Sequence, residues 1–207
     1  QPPRRIPLHY VQPLKDHLAE MIKEDVIEGP LSEEEEGSWI SNLVITDKKW
    51  DGAQEEGRRI QIRANLDLRP LNTFIYQTHE PIPTPEELRH NLKGSTKYSS
   101  LDMIHSFHQF ELQEEAKKLF CFRAPGGLFR FKRLCMGSSP ASSEAHKRIK
   151  KVVAGLEGVL QIKDDVLVHG VGEEHDQRLR AVLERFREAG LTLRREKCHL
   201  GKAEVKW

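Results

Sequence analysis

The 207-residue sequence has only three cysteines, Cys121, Cys135 and Cys198, an odd number without the spacing of a metal knuckle. This argues against a disulfide framework or a zinc knuckle; the thiols suit a reducing compartment and read as packing residues. No stretch approaches the roughly 20 apolar residues that a membrane-spanning helix needs. The opening Gln1-Pro2-Pro3-Arg4-Arg5 lacks the apolar centre of a signal peptide. Charge of one sign is also missing: 33 basic residues nearly cancel 32 acids for a net +1, so overall charge announces no polyanionic partner. The apolar share of 37% is below the globular norm and the charged share of 31% above it, yet Leu, Ile, Val and Phe suffice for a sizeable core. A first residue other than Met and an end at Val205-Lys206-Trp207, within the start of an expected strand, are expected of a piece of a longer product.

What is present is unevenly arranged. Glu33 to Glu36 form an acidic run; Lys147, Arg148, Lys150 and Lys151 cluster in a helical stretch, and Arg194, Arg195 and Lys197 near the end. Each cluster reads equally well as a solvated face or, beside a phosphate site, as part of it. Residues 158 to 170 hold two apolar-biased runs around the adjacent acids Asp164 and Asp165, with Gly158 and Gly170 at the ends. This pattern predicts a β-hairpin carrying two carboxylates at its tip. Such a pair repels by roughly 4 kcal/mol at 4 Å and an effective dielectric of 20, a cost that a divalent cation relieves. A solvated acidic turn is the alternative. Asp102, at the end of the strand-like Thr96 to Leu101, is a third acid at a strand end, able to complete one metal site.

The predicted elements alternate along the chain. Pro13 opens a helix with Leu14, Leu18, Met21 and Ile22 on one face, ended by Gly29-Pro30. Strands over Trp39 to Thr46 and Arg58 to Leu68 flank the loop Asp51 to Gly57 and form a hairpin. A helix over Glu86 to Leu92 starts from Thr84 or Pro85, and another follows Asp102 to about Gln109. Strands Leu119 to Arg123 and Phe129 to Leu134 flank a Pro125-Gly126-Gly127 turn, and a long helix runs from about Ser139 to Ala154. An amphipathic helix from His175 to Ala189 places Leu179, Val182, Leu183 and Phe186 on one face and ends at Gly190. Leu191-Thr192-Leu193 and Glu204-Val205-Lys206 read as short strands.

Several blocks in a fixed order carry a resemblance: Asp25-Val26-Ile27-Glu28, Ser38-Trp39-Ile40-Ser41, Leu68-Arg69-Pro70-Leu71-Asn72, Pro81-Ile82-Pro83-Thr84 and Ser100-Leu101-Asp102. Downstream come Phe129-Arg130-Phe131, Arg133-Leu134, residues 155–159, Asp164-Asp165-Val166-Leu167-Val168, and residues 188–193 with Lys197-Cys198. Over almost its whole length the chain resembles the reverse transcriptase domain of gypsy-class (Metaviridae-like) long-terminal-repeat retrotransposon Pol polyproteins. The resemblance implies an α+β right-hand polymerase, with fingers at 1–80 and 111–140 and a palm at 81–110 and 141–207 whose antiparallel sheet is backed by helices. The thumb, primer grip, connection and ribonuclease H parts of the family lie outside the sequence.

By resemblance, Asp102, Asp164 and Asp165 bind two Mg2+ or Mn2+ ions, with the Met103 carbonyl serving the nucleotide-bound ion. Arg63 and Lys48 or Lys49 match the fingers residues that hold the incoming deoxynucleoside triphosphate. A guanidinium fork suits phosphate oxygens, although Arg63 also reads as a surface strand residue. Phe107 matches the aromatic that excludes a ribose 2′-hydroxyl, or is a core aromatic. Met136 and Gly137 match the segment that contacts nucleotide and template, where a tight turn would equally require Gly137. Lys197 matches the late Lys that protonates departing pyrophosphate, or is a solvated cation. The implied partners are an RNA or DNA template-primer duplex and deoxynucleoside triphosphates, with a following ribonuclease H domain in the polyprotein. No membrane is implied, and the implied location is a cytoplasmic particle or the nucleus.

Departures from the family pattern bear on activity. The usual Tyr and apolar residue before the acid pair are Ile162 and Lys163 here, and an ammonium beside the acids competes with a cation. Ser142, Ala145 and His146 stand where the family has Pro, Phe and Gln, and Glu144 replaces an apolar residue. A Glu144–Lys163 ion pair would compensate the change. The expected function is RNA-directed DNA polymerisation by two-metal nucleotidyl transfer; the alternatives are an impaired or domesticated nucleic-acid-binding remnant and an unrelated α+β metal-binding or signalling domain.

Overall fold

The computed structural model describes residues 4–32, 35, 37, 39–47, 61–76, 81 and 83–205. In chain order the elements are α1 (Leu8–Lys23), β1 (Ile27–Glu28), β2 (Ile40–Ser41), β3 (Leu43–Asp47), β4 (Ile62–Leu66), α2 (Arg69–Asn72) and α3 (Pro85–Leu92). Then come β5 (Lys97–Leu101), a 3-10 turn (Ser106–Gln109), α4 (Glu114–Lys117), β6 (Cys121–Ala124), β7 (Gly127–Phe131) and α5 (Ala141–Val152). The chain closes with β8 (Val159–Ile162), β9 (Asp165–Gly170), α6 (Gly172–Glu188), a 3-10 turn (Arg195–Lys197) and β10 (His199–Lys202). Two compact units result: Gln1–Tyr76 with Phe110–Ser139, and Gln77–Gln109 with Pro140–Trp207.

The first unit holds a four-stranded sheet in the order β1-β7-β6-β2 and the β3–β4 hairpin. The hairpin matches the sequence expectation, although the loop joining its strands lies outside the described residues. Leu14, Leu18 and Met21 of α1 share one buried hydrophobic cluster with Phe120, Phe122, Phe129 and Phe131 of the sheet region. The expectation that Pro13 opens this helix is corrected. The helix begins at Leu8 with Pro13 inside it, because Ile6 and Tyr10 pack against the same core and that burial outweighs the one backbone bond Pro13 cannot donate. Asp67, with only 2% of its side chain exposed, accepts hydrogen bonds from Arg4 and Arg69. These partners, Arg69 foremost, hold its carboxyl at about 2.

The second unit is built on an antiparallel sheet in the order β10-β5-β9-β8. Central β9 is buried from Val166 to Gly170, as a strand covered on both faces must be. Helix α6 packs on β9 and β5, with Val182, Phe186 and His175 buried. Leu183, expected on the same face, is exposed. Gly190 ends the helical stretch at φ +69°, and Thr84 caps α3 with Glu87 in a reciprocal capping box.

Two strand assignments are corrected. Leu193 makes an isolated bridge to Met103; the last strand among the described residues is His199–Lys202, and Glu204 and Val205 of the expected Glu204–Lys206 strand are in none, Lys206 lying outside the described residues. β10 is an exposed edge strand whose register is interrupted, and the Gly201 amide donates to Ser99 Oγ at 2.9 Å. The helix expected after Asp102 is also corrected to a turn and the short 3-10 segment, since His105 takes φ +43°.

Candidate active site

Sheet register brings the three acids to one end of the second unit. Leu101, the last residue of β5, pairs with Val166 of β9, so Asp102 leaves β5 beside Asp165. The β8–β9 hairpin closes on the pair Ile162 and Asp165, which makes its turn Lys163-Asp164 rather than the acid pair expected at the tip. Lys163 takes φ +56° at the first turn position, where type II′ geometry favours glycine. Partial burial first, then the charges of Asp164 and Asp102, push the Asp165 carboxyl above the usual carboxylate range.

Long-range contacts hold the Asp164 side chain and the Asp102 backbone. Ser106 Oγ donates to Asp164 Oδ2 at 3.0 Å. The Arg194 amide donates to the Asp102 carbonyl at 2.8 Å, and the Asp102 amide meets Cys198 Sγ at 3.4 Å. The packing role expected for the cysteines thus describes Cys121 and Cys135, both buried, with burial pushing the Cys135 thiol up to about 12. Cys198 is half-buried and braces Asp102.

Met103 is buried, Phe107 is half-buried in the first 3-10 turn, and Lys197 is exposed at the end of the second. Among the described residues the Met103 carbonyl accepts no hydrogen bond. Gln109 donates to Thr192 O at 2.9 Å and accepts from its amide at 2.8 Å, tying the Asp102–Gln109 segment to the one that leads to Lys197. Glu144 pairs with Lys147 at 3.3 Å; Lys163 is exposed and has no ion-pair partner among the described residues. The suggested Glu144–Lys163 compensation is therefore absent.

The remaining candidates belong to the first unit. Arg63 is exposed on β4 opposite Thr46, and Lys48 and Lys49 lie outside the described residues. Met136 is 52% exposed. Gly137 takes φ +93°, which a side chain would strain. Asn72 clamps that turn, donating to Gly137 O at 2.8 Å and accepting from the Ser139 amide at 2.9 Å. Neither Asn72 nor Ser106 carries a role in the sequence pattern: Asn72 is the last residue of a matched block, and Ser106 follows another at Asp102.

The donor set suits divalent ions in kind: three carboxylates that repel one another and a carbonyl free of hydrogen bonds. Among the described residues, however, no three His, Cys, Asp or Glu side chains are gathered closely enough to coordinate one ion.

The chain is similar to several known proteins. The sequence profile of the family described as reverse transcriptase (RNA-dependent DNA polymerase) matches residues 48–207. An uncharacterized protein of Caenorhabditis elegans is 34% identical over 81% of the chain and 13% of its own length. The transposon Tf2-3 polyprotein of Schizosaccharomyces pombe is 28% identical over 70% of the chain and 11% of its own length. The Pol polyprotein from transposon 412 of Drosophila melanogaster is 26% identical over 97% and 16%, respectively. The native prototype foamy virus protease-reverse transcriptase superposes with a TM-score of 0.80 at 18% identity, over 98% of this chain and 26% of that one. The foamy viral enzyme in complex with an RNA/DNA hybrid gives 0.78 at 16% identity, over 97% and 25%.

The fold is thus the α+β fingers-and-palm arrangement of a right-hand polymerase. The chain belongs to the reverse transcriptase family, the RNA-directed DNA polymerases, and the resemblance to gypsy-class retrotransposons holds with transposons Tf2-3 and 412 among its relatives.

Proposed function

We propose that this chain is the fingers and palm of a retrotransposon reverse transcriptase, with the first unit as fingers and the second as palm, and that it carries out two-metal nucleotidyl transfer. The observation that carries the proposal is the convergence of Asp102, Asp164 and Asp165 at one end of an antiparallel sheet, with the Asp165 carboxyl raised by partial burial and then by the charges of Asp164 and Asp102. Asp102, Asp164, Asp165 and the Met103 carbonyl would hold the ions. Divalent ions held there would supply activation of a primer 3′-hydroxyl and stabilisation of the leaving oxygen. Arg63, with Lys48 or Lys49, binds triphosphate oxygens; Met136 and Gly137 present the turn that meets nucleotide and template. Phe107 excludes a 2′-hydroxyl and so selects deoxynucleotides. Lys197 supplies a proton to the leaving pyrophosphate.

The expected partners are a template-primer duplex of RNA or DNA and, in a parent polyprotein, a following ribonuclease H domain. Foamy viral relatives of the same fold have been solved with double-stranded DNA and with an RNA/DNA hybrid, which supports the duplex. Among the described residues no helix is long and apolar enough to cross a membrane; a cytoplasmic particle or the nucleus is the proposed location.

Lys163 supports a second reading, a remnant that binds nucleic acid without catalysis, because its ammonium, without an ion-pair partner among the described residues, sits in the turn between Ile162 and Asp164. Manganese binding in the presence of a deoxynucleoside triphosphate separates the two, using the native chain, Asp102→Asn, and Ile162→Leu with Lys163→Val. Binding beyond that of free nucleotide, lost in Asp102→Asn, supports the polymerase. Binding that emerges only once Lys163 is replaced supports the remnant, and no binding in any variant rejects the metal site.

A further inference from the structure

We infer that Ser106 is a positioning residue that sets the orientation of the Asp164 carboxylate. Ser106 is 7% exposed, and its hydroxyl spends its hydrogen bond on Asp164 Oδ2 at 3.0 Å, across 58 residues of sequence. Among the described residues Asp164 has no other side-chain partner. The donor's own placement is rigid. It opens the 3-10 turn Ser106–Gln109, whose far end is clamped to Thr192 by two Gln109 hydrogen bonds and whose approach is pinned by the Ile104 amide on the Thr192 carbonyl. The recipient is not: Asp164 lies in a two-residue turn after Lys163 at φ +56°, with nothing else to choose its rotamer.

A neutral hydroxyl is the right chemistry for this task. It occupies one of about four lone-pair sites of the carboxylate and leaves the negative charge intact, whereas a lysine in its place would neutralise the acid. Hydrogen-bond partners behind a metal-binding carboxylate typically account for about 10–100-fold in affinity. That part of the inference rests on the proposed metal site; the contact with the hairpin turn does not.

The test compares the native chain with Ser106→Ala and with Ser106→Thr, which keeps the hydroxyl. The first readout, without metal, is hydrogen exchange of the Asp165 amide, in the residue pair that closes the turn. The second is Mn2+ affinity with a deoxynucleoside triphosphate. Ser106→Ala is expected to speed the exchange about tenfold, the loss of one hydrogen bond to a charged group. It is expected to weaken Mn2+ about 10–100-fold, while Ser106→Thr stays near native in both. Unchanged exchange in Ser106→Ala, or Mn2+ affinity that is unchanged or tighter, overturns the inference. A native chain that binds no Mn2+ rejects the proposed metal site instead; faster exchange in the alanine variant then still supports the role of Ser106, and unchanged exchange overturns it.

Discussion

Changing Asp67 to Asn removes one charge and almost no volume, and so isolates what ion pairing does for the first unit. The carboxylate accepts from Arg4 at 2.8 Å and from Arg69 at 2.8 and 2.7 Å. Chiefly through the Arg69 hydrogen bond, its pKa falls from 3.8 to about 2. At about 1.36 kcal/mol per pKa unit, this corresponds to about 2.4 kcal/mol. Arg4 is 50% exposed and Arg69 79%, so solvent screening reduces the contribution to about 1 kcal/mol. Because the folded-state value is the depressed one, the stabilisation is complete above the unfolded value of 3.8 and is lost as pH falls through about 2. For a chain of this size about 1 kcal/mol moves Tm by about 2–4 °C. Thermal unfolding followed by circular dichroism is expected to put Asp67→Asn about 2–4 °C below the native chain near pH 7, the gap shrinking to about a third near pH 2.5. A variant equal to the native chain near pH 7, or a gap undiminished in acid, would refute the reasoning.

Two further substitutions test the second unit. A Cβ on Gly158 would lie 2.5 Å from the His169 carbonyl oxygen and 2.6 Å from Arg178 Cδ, at φ +64°. Gly158→Ala is expected to cost about 2–5 kcal/mol in urea denaturation, the sum of backbone strain and overpacking, and a loss below about 0.5 kcal/mol would contradict that geometry. Lys163→Gly relieves a left-handed non-glycine residue in the hairpin turn and is expected to stabilise the chain by about 0.5–1 kcal/mol. Lower stability would mean that the ammonium's attraction to the nearby acids outweighs the strain.

Local signals and long-range contacts divide the fold and the site between them. Sequence by itself determined the elements whose reasons lie within a dozen residues. The α3 start is a Thr84–Glu87 capping box, α6 has an apolar stripe closed by Gly190, and the β8–β9 hairpin brackets its acids with Gly158 and Gly170. Matched blocks likewise marked Asp102, Asp164 and Asp165 as candidates, because acids at strand ends show in the residue types. Tertiary structure alone decided what depends on partners far along the chain. β1, two residues long, has no periodicity to detect and exists through its pairing with β7. α1 runs through Pro13 because a core waits for Tyr10. The convergence of the acids comes from the Leu101–Val166 register, and their bracing by Ser106 and Cys198 spans 58 and 96 residues. Propensity, capping and turn chemistry act over a few residues and are written locally; register and side-chain bracing are set by burial and hydrogen bonding among segments that meet only once the chain has folded.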